Sequence, residues 1–267
     1  MRKRIAIIML VLTALSVAAL VAYRYMAVQR VSGEAPVISF DSKTLEVMTD
    51  ATMPELLQGV TATDAEDGDV TDSLLVEAST NFVSDTTVEV TYAAFDSNGH
   101  VSKATRNVRY VDYRPPEIYF TGPMVFSESS VSELLTYVGA RDCIDGDISM
   151  RVKASSLESG TLLSNPGEHV LEFRVTNSVG DTAYLTCTVE VLSGYSTSQQ
   201  IPLKDYLVYL PVGSEFDPRS YLTDEYTEER TLEIENEVDT STPGSYDVYY
   251  TLGNRYTRLI VIVEGEG

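Results

Sequence analysis

The sequence predicts an all-β protein built from tandem β-sandwich modules that follow an N-terminal transmembrane helix. Three observations carry this prediction: hydrophobic residues that alternate with period two, landmarks that recur after about eighty residues, and an uncharged apolar segment behind a basic start. The chain has 267 residues, enough for two or three domains, and 43% of them are hydrophobic. That fraction can fill real cores, which argues against a disordered chain.

The N-terminal segment predicts the compartment. Three basic residues, 2–4, precede an apolar stretch, 5–22, that would measure roughly 27 Å as a helix, close to the thickness of a bilayer core. Residues 1–30 are therefore predicted to be a cytoplasmic basic start and signal anchor of a single-pass cell-membrane protein. The chain from about residue 30 onward would be extracytoplasmic. A cleaved signal, which would leave the protein secreted, stays open because residues 17–19 form an acceptable cleavage site.

Net charge limits the partners. The chain carries 40 acidic and 19 basic residues, a formal charge of −21 at pH 7, and five of the basic residues lie in residues 1–30. Such an acidic surface repels nucleic acid and anionic lipid headgroups, so both are predicted not to be partners. It attracts divalent cations or basic partners, although an acidic surface is also simply well solvated.

The strongest signal is an internal repeat. Four landmarks recur in the same order at offsets of 78 to 81 residues. They are residues 36–40 and 116–120, 54–64 and 132–142, 67–71 and 145–149, and 96–99 and 177–180. A diverged third copy is indicated because residues 238–246 parallel residues 163–169. The predicted modules therefore span residues 34–112, 114–193 and 200–264.

Within each copy the hydrophobic residues alternate. Val88, Val90 and Tyr92 are predicted to face one core, and Leu171, Phe173 and Val175 form the corresponding row in the second copy. Short alternating runs with turn residues about every ten positions are typical of a β-sandwich. The pair Asn98-Gly99 between two such runs predicts a hairpin.

Two motifs carry a family resemblance. Asp-x-x-Asp-Gly-Asp occurs at 64–69 and 142–147, and a Pro-Gly strand start occurs at 166–167 and 243–244. With these motifs the chain resembles bacterial immunoglobulin-like domains of unknown function, including the type named after an insecticidal crystal protein, and more distantly hyalin-repeat modules. The resemblance implies immunoglobulin-like sandwiches at a cell surface. The third copy lacks the acidic motif, which removes any shared role of that loop there.

The acidic loops are the candidate metal site. Carboxylate and amide oxygens are ligands that calcium takes, and closely packed like charges repel each other unless a cation or backbone donors neutralise them. The candidate calcium ligands are Asp64, Asp67, Asp69, Asp96, Asp142, Asp145, Asp147 and Asn177. The alternative interpretation is that these aspartates cap tight turns, in which Gly68 and Gly146 supply a positive φ. Calcium is the one cofactor that the sequence suggests.

Cysteines and tyrosines leave further alternatives open. Cys143 and Cys187 could form a disulfide in an oxidising compartment or remain free thiols. A group of tyrosines in the third module could stack on sugars or on a partner protein, or could be half-buried strand residues. They are Tyr206, Tyr209, Tyr221, Tyr226, Tyr249 and Tyr250.

The sequence offers little for catalysis. Neither His100 nor His169 has a nucleophile at a recognisable spacing, no cluster has the spacing of a zinc site, and no glycine-rich phosphate loop is present. The chain is therefore predicted not to be an enzyme. It is predicted to be a membrane-anchored cell-surface protein whose modules serve adhesion or bind an extracellular protein or glycan. A structural stalk or spacer without a ligand is the alternative.

Overall fold

The chain divides into two compact units, Met1–Tyr113 and Arg114–Gly267. The computed structural model describes residues 13, 15–25, 33–156, 163 and 165–265. Residues 15–25 are helical, and the transmembrane helix predicted over residues 5–22 lies partly outside the described residues. Among the helices of the described part, none is long and apolar enough to cross a membrane.

The described residues of the first unit form seven strands in two sheets. The three-stranded sheet has the order β1-β3-β4, and the four-stranded sheet has the order β2-β7-β6-β5. The strands are β1 (Val37–Phe40), β2 (Thr44–Val47), β3 (Val60–Asp64), β4 (Gly68–Asp69), β5 (Leu75–Ser84), β6 (Thr87–Phe95) and β7 (Val101–Tyr110). A single helical turn, Met53–Leu56, joins β2 to β3.

The two sheets of the first unit enclose a core. Val88, Val90 and Tyr92 are buried on one face of β6, as their alternation predicts. The ring of Tyr92 packs edge-on against Phe40 of the three-stranded sheet, with 5.5 Å between the ring centroids. The predicted hairpin is also confirmed: β6 pairs with β7, and Gly99 in the turn has a φ of +88°. Period-two alternation therefore gave the correct faces.

In the second unit, the part of the chain that the structure describes forms eleven strands in three sheets. Their orders are β11-β10-β8, β12-β13-β14-β9 and β15-β18-β17-β16. The strands before residue 200 are β8 (Glu117–Phe120), β9 (Val125–Phe126), β10 (Val138–Asp142), β11 (Gly146–Asp147), β12 (Lys153–Ser156), β13 (Gly167–Thr176) and β14 (Thr182–Val191). The later strands are β15 (Leu207–Pro211), β16 (Glu233–Asn236), β17 (Gly244–Leu252) and β18 (Arg255–Glu264).

One sheet topology occurs three times in the chain. In each four-stranded sheet, the strand that comes first in the chain pairs in parallel with the strand that comes last. This last strand also pairs with the strand just before it in the chain, in an antiparallel hairpin. The three-stranded sheet occurs only twice among the described residues, as β1-β3-β4 and β11-β10-β8. The overall structure is therefore all-β, as predicted.

The third segment, residues 200–264, differs from a two-sheet sandwich. Its described residues form no three-stranded sheet and have one isolated β-bridge, between Leu203 and Leu222. Buried side chains of an irregular segment cover the core there instead, among them Ile201, Tyr226 and Leu232. The physical reason is visible in the sequence, because residues 213–232 contain turns and clustered acidic residues and no alternating hydrophobic run.

The second unit has one continuous hydrophobic core. It runs from Ile118 in β8 to Val263 in β18. Tyrosine hydroxyls join the two segments at this junction: Tyr209 donates to the carbonyl of Ile118 at 3.0 Å, and Tyr256 donates to the carboxylate of Glu190 at 2.8 Å. Burial raises the pKa of Tyr195, whose hydroxyl lies at the same junction, to about 12. Tyr195, between the second and third segments, is therefore packed at this junction.

Candidate functional site

The aspartate motif of the first unit forms hydrogen bonds within its own loop. Asp64, at the end of β3, accepts hydrogen bonds from the backbone N–H groups two and three residues further on, at 2.8 and 2.9 Å. Asp69 accepts one from the N–H of Thr71 at 3.0 Å. Gly68 has a φ of +75°, which a side chain would strain. These contacts are those of aspartates that cap tight turns.

Two more aspartates act on the hairpin between β6 and β7. Asp67 accepts hydrogen bonds from the N–H and the hydroxyl of Ser97 at 2.7 and 2.8 Å. Asp96, whose side chain is 2% exposed, accepts one from the N–H of His100 at 2.7 Å and lies 2.5 Å from its Nδ1. Burial alone would raise the pKa of Asp96, but the hydrogen bonds from His100 lower it. The motif thereby fastens the turn of the small sheet to the hairpin of the large one.

The second unit repeats this arrangement. Asp142 accepts hydrogen bonds from the N–H groups two and three residues further on, both at 2.9 Å. Asp145 accepts two from Ser178 in the β13–β14 hairpin, from the N–H at 2.7 Å and from the hydroxyl at 2.6 Å. Asp147 accepts two from Ser149, and these lower its pKa. The same aspartates therefore make the same contacts in both units.

Asn177 in the β13–β14 hairpin stands at the position that Asp96 has in the first unit, and it bonds to the aspartate motif through Asp142. Its Nδ2 donates to Asp142 at 3.0 Å, and its Oδ1 accepts from the N–H groups of Val179 and Asp181. Arg151 adds an ion pair to Asp145 at 2.6 Å. Burial alone would raise the pKa of Asp145, but hydrogen bonds from Ser178 and Arg151 lower it.

A calcium site needs several oxygen ligands that converge on one point. Within the described ranges, no three or more His, Cys, Asp or Glu side chains are arranged to hold a metal ion. The aspartates of both motifs instead accept hydrogen bonds from backbone and hydroxyl donors. Calcium binding by these loops stays a prediction that a melting experiment can test.

Both cysteines are free thiols in the structure. Cys187 is buried in β14, and burial raises the pKa of its thiol to about 12. Cys143 is half-buried beside the Asp-Gly-Asp turn, where its Sγ donates to the carbonyl of Arg114 at 3.1 Å. The structure thus places the two sulfur atoms in different surroundings, one in a core and one near the surface.

Most of the tyrosines named in the sequence analysis pack within the third segment. Tyr206, Tyr226 and Tyr250 are buried, and the hydroxyl of Tyr250 donates to the carbonyl of Pro218 at 2.7 Å. Tyr249 and Tyr256 stack on each other, with 6.1 Å between their centroids. An exposed aromatic row along the strands does not form, so these side chains favour the half-buried interpretation.

One tyrosine of this group lines a cleft that the sequence did not reveal. The cleft has a volume of about 770 Å³, within the range of small-ligand sites. Tyr221 stacks on Phe216 there, with 5.7 Å between the rings and 29° between their planes. The lining residues are Ser214, Glu215, Phe216, Asp217, Ser220, Tyr221, Asn236, Val238 and Thr240.

Local hydrogen bonds shape the floor of this cleft. Asp217 accepts from the N–H of Arg219 at 3.0 Å and begins the helical turn Pro218–Tyr221. Gly213, with a φ of +80°, donates its N–H to the carbonyl of Thr240 at 2.7 Å. Burial, with the charges of nearby aspartates, raises the pKa of Tyr221, so its hydroxyl remains a neutral donor. The cleft combines two half-buried rings with carboxylate, amide and hydroxyl groups, and none of its lining residues is basic.

Only a weak signal for this cleft is present in the amino-acid sequence. The turn at residues 213–218 contains an aromatic residue between two acids, which marks it as unusual for a surface turn. Asn236 and Val238 come from a different strand end some twenty residues later. No pattern along the chain brings these positions together.

Comparison with known proteins finds a distant relative in sequence. No protein-family model matches the chain. The chain is 28% identical over 250 residues to the pesticidal crystal protein Cry22Aa of Bacillus thuringiensis. The aligned region covers 85% of this chain and 33% of that protein. The chain therefore spans about a third of that relative's length. The match agrees with the resemblance to modules named after an insecticidal crystal protein.

Solved structures give weaker similarities. The CBM51-2 in complex with GlcNAc and INT domains of Clostridium perfringens ZmpB is 17% identical, covers 85% of this chain and 41% of that chain, and has a TM-score of 0.23. Domains 1–6 of the surface layer protein SbsC are 14% identical, with coverages of 88% and 41% and a TM-score of 0.20. The extracellular domain of protocadherin GammaB4 is 11% identical, with coverages of 86% and 49% and a TM-score of 0.20. Similarities at these scores carry no argument about this chain.

Proposed function

We propose that this protein is a binding protein of the cell exterior whose third segment holds a neutral glycan. The observation that carries the proposal is the cleft lined by Phe216 and Tyr221. Aromatic rings pack against the apolar faces of sugar rings, and carboxylate and amide groups accept hydrogen bonds from sugar hydroxyls. Glu215, Asp217 and Asn236 supply such acceptors.

The location outside the cytoplasm is part of the same proposal. It rests on the basic residues 2–4, the apolar residues 5–22 and the acidic surface that follows. The segment would act as a signal anchor in the cell membrane, or as a cleaved signal in a secreted form. We assign the modules to the immunoglobulin-like type, because one four-stranded sheet topology occurs in all three segments and a second sheet packs on it in two of them.

Pelleting of the purified full chain with insoluble neutral polysaccharides tests the cleft. Phe216→Ala and Asp217→Asn are expected to weaken saturable pelleting at least about tenfold, because a stacked ring and a charged acceptor each supply more than 1 kcal/mol in a good site. Phe95→Ala is the matched control, since it removes an exposed ring of the first unit, 37% exposed, far from the cleft in sequence. Equal pelleting of all three variants would reject the cleft as the site.

A spacer without a ligand is the second candidate function. The continuous core across the two segments of the second unit favours it, since shared packing makes a stiff body of about 150 residues. Absence of pelleting with every polysaccharide, for wild type and variants alike, would support the spacer and direct the search to protein partners.

A further inference from the structure

The outer face of β12, β13 and β14 carries an unusual concentration of positive charge. Lys153, Arg174 and Tyr184 lie directly opposite one another on the three strands. With neighbouring strands about 4.8 Å apart, the row spans roughly 10 Å. Arg151, just before β12, and Thr176 complete a depression of about 290 Å³ whose lining contains three basic residues and no acidic one. Outside residues 1–30 the chain has only 14 basic residues, so three around one small depression is a marked cluster.

Two of these cations form no ion pair with an acid among the described residues. Arg151 pairs with Asp145, but the ion pairs among described residues include neither Lys153 nor Arg174. The nearest acid on the same strand face is Glu172, two positions along β13 and hence about 7 Å away along the strand. Both Lys153 and Arg174 are exposed.

The equivalent face of the first unit shows that the fold does not require these charges. Its corresponding row reads Leu75, Ala93 and Lys103 across β5, β6 and β7. Lys103 on β7 is paired there with Glu77 on the edge strand β5, across β6. In the second unit the acid of this face is Glu172 on the middle strand, directly opposite Ser155, and it forms no ion pair with Lys153 or Arg174 among the described residues.

Tyr184 gives the face a second kind of contact. Its side chain is 62% exposed at the end of the basic row, and threonine hydroxyls surround it on the same face. Thr176 and Thr182 are hydrogen-bonded to each other at 2.8 Å. An exposed ring beside unpaired cations suits a ligand that has both an apolar face and an anionic group.

We propose that this face binds an acidic sugar residue of a polysaccharide, with its carboxylate held by Lys153 and Arg174 and its ring stacked on Tyr184. The overall charge of −21 does not forbid this, because at physiological salt charges more than about 8 Å away are largely screened. The site is separate from the proposed neutral-sugar cleft and has the opposite charge.

Native electrophoresis of the full chain through gels that contain polygalacturonate, dextran or polyglutamate tests the proposal. Polygalacturonate is expected to retard the wild type, and Lys153→Ala/Arg174→Ala to weaken that retardation at least about tenfold, with Tyr184→Ala weakening it several-fold. The matched control is Lys103→Ala/Arg109→Ala, which removes two exposed cations from the same sheet of the first unit and should bind as wild type.

Three results would overturn the proposal. The first is that polygalacturonate does not retard the wild type, and the second is that the control variant loses as much retardation as Lys153→Ala/Arg174→Ala. The third is that polyglutamate retards the wild type as strongly as polygalacturonate does and that Tyr184→Ala leaves this retardation unchanged. That third result would show recognition of charge alone. Pelleting with neutral polysaccharides should be the same for Lys153→Ala/Arg174→Ala and wild type. Failure at this face and failure at the cleft are therefore told apart.

Discussion

Replacement of Asp247 by alanine tests the second unit's core where it is most sensitive. Arg258 on β18 is 1% exposed, and its Nε and Nη2 both donate to Asp247 on β17, at 2.7 and 2.6 Å. The guanidinium also lies 5.7 Å from the ring of Tyr249. Its Nη1 is buried without a hydrogen-bond partner among the described residues, so Asp247 is the group that compensates this charge.

The expected cost of Asp247→Ala follows from this burial. Removal of one partner from a buried ion pair costs about 3–5 kcal/mol, because the remaining charge is left unpaired in a poorly solvated site. Asp247 is itself 28% exposed, which lets water reach part of the pair and places the expected value near 3 kcal/mol. For a domain of about 150 residues, this lowers the melting temperature by roughly 6–12 °C.

Differential scanning calorimetry of the full chain measures this change. One transition should move down as a whole, because residues 114–193 and 200–264 share a core. Arg258→Met in the Asp247→Ala background should restore much of the loss, since no unpaired buried charge remains. Glu77→Ala, which breaks an exposed pair with Lys103, should cost less than about 1 kcal/mol. A shift as small for Asp247→Ala as for Glu77→Ala, or early melting of residues 200–264 alone, would refute the argument.

Three further predictions concern the loops and the thiols. Hydrogen bonds from Ser149 lower the folded-state pKa of Asp147. The contribution of this carboxylate to stability is therefore complete above its unfolded pKa of about 4 and is lost as the pH falls through the lower folded value. Urea titrations between pH 3 and pH 6 should show that the free energy of unfolding declines less steeply with acid in Asp147→Asn than in the wild type. Because backbone donors already satisfy the aspartates, the melting temperature should be equal in millimolar calcium and in chelator, whereas a rise in calcium would support the calcium hypothesis. A thiol reagent should label Cys143 in the native protein and Cys187 only after unfolding, since Cys187 is buried with its thiol pKa raised to about 12; simultaneous labelling would contradict the packing of β14.

The features that depend on neighbours along the chain could be predicted from the sequence. The buried faces of β6 and β13 follow from alternation, and the turn glycines with positive φ follow from the Asp-Gly-Asp motif. Both rules use positions within a few residues of one another, so one chain contains all the information they need.

The two candidate binding sites could not be predicted in this way. The row of Lys153, Arg174 and Tyr184 exists only because the register of three strands sets these positions opposite one another. A shift of one residue in either pairing would turn the side chains to the other face. The cleft near Phe216 likewise joins a turn to a strand end that is distant in sequence. Register and loop packing are long-range properties, which periodicity does not fix.

The distribution of the acidic motif indicates what it does. It occurs in the two segments that have a three-stranded sheet, and both the motif and that sheet are absent from the described residues of the third segment. Asp67 in the β3–β4 turn and Asp145 in the β10–β11 turn each accept hydrogen bonds from a serine in the hairpin of the large sheet. A motif that fastens two sheets has no role where one of them is missing, which agrees with this distribution. The hydrogen bonds of the motif support a role in sheet attachment, and we propose binding at the cleft of the third segment and at the basic row of the second.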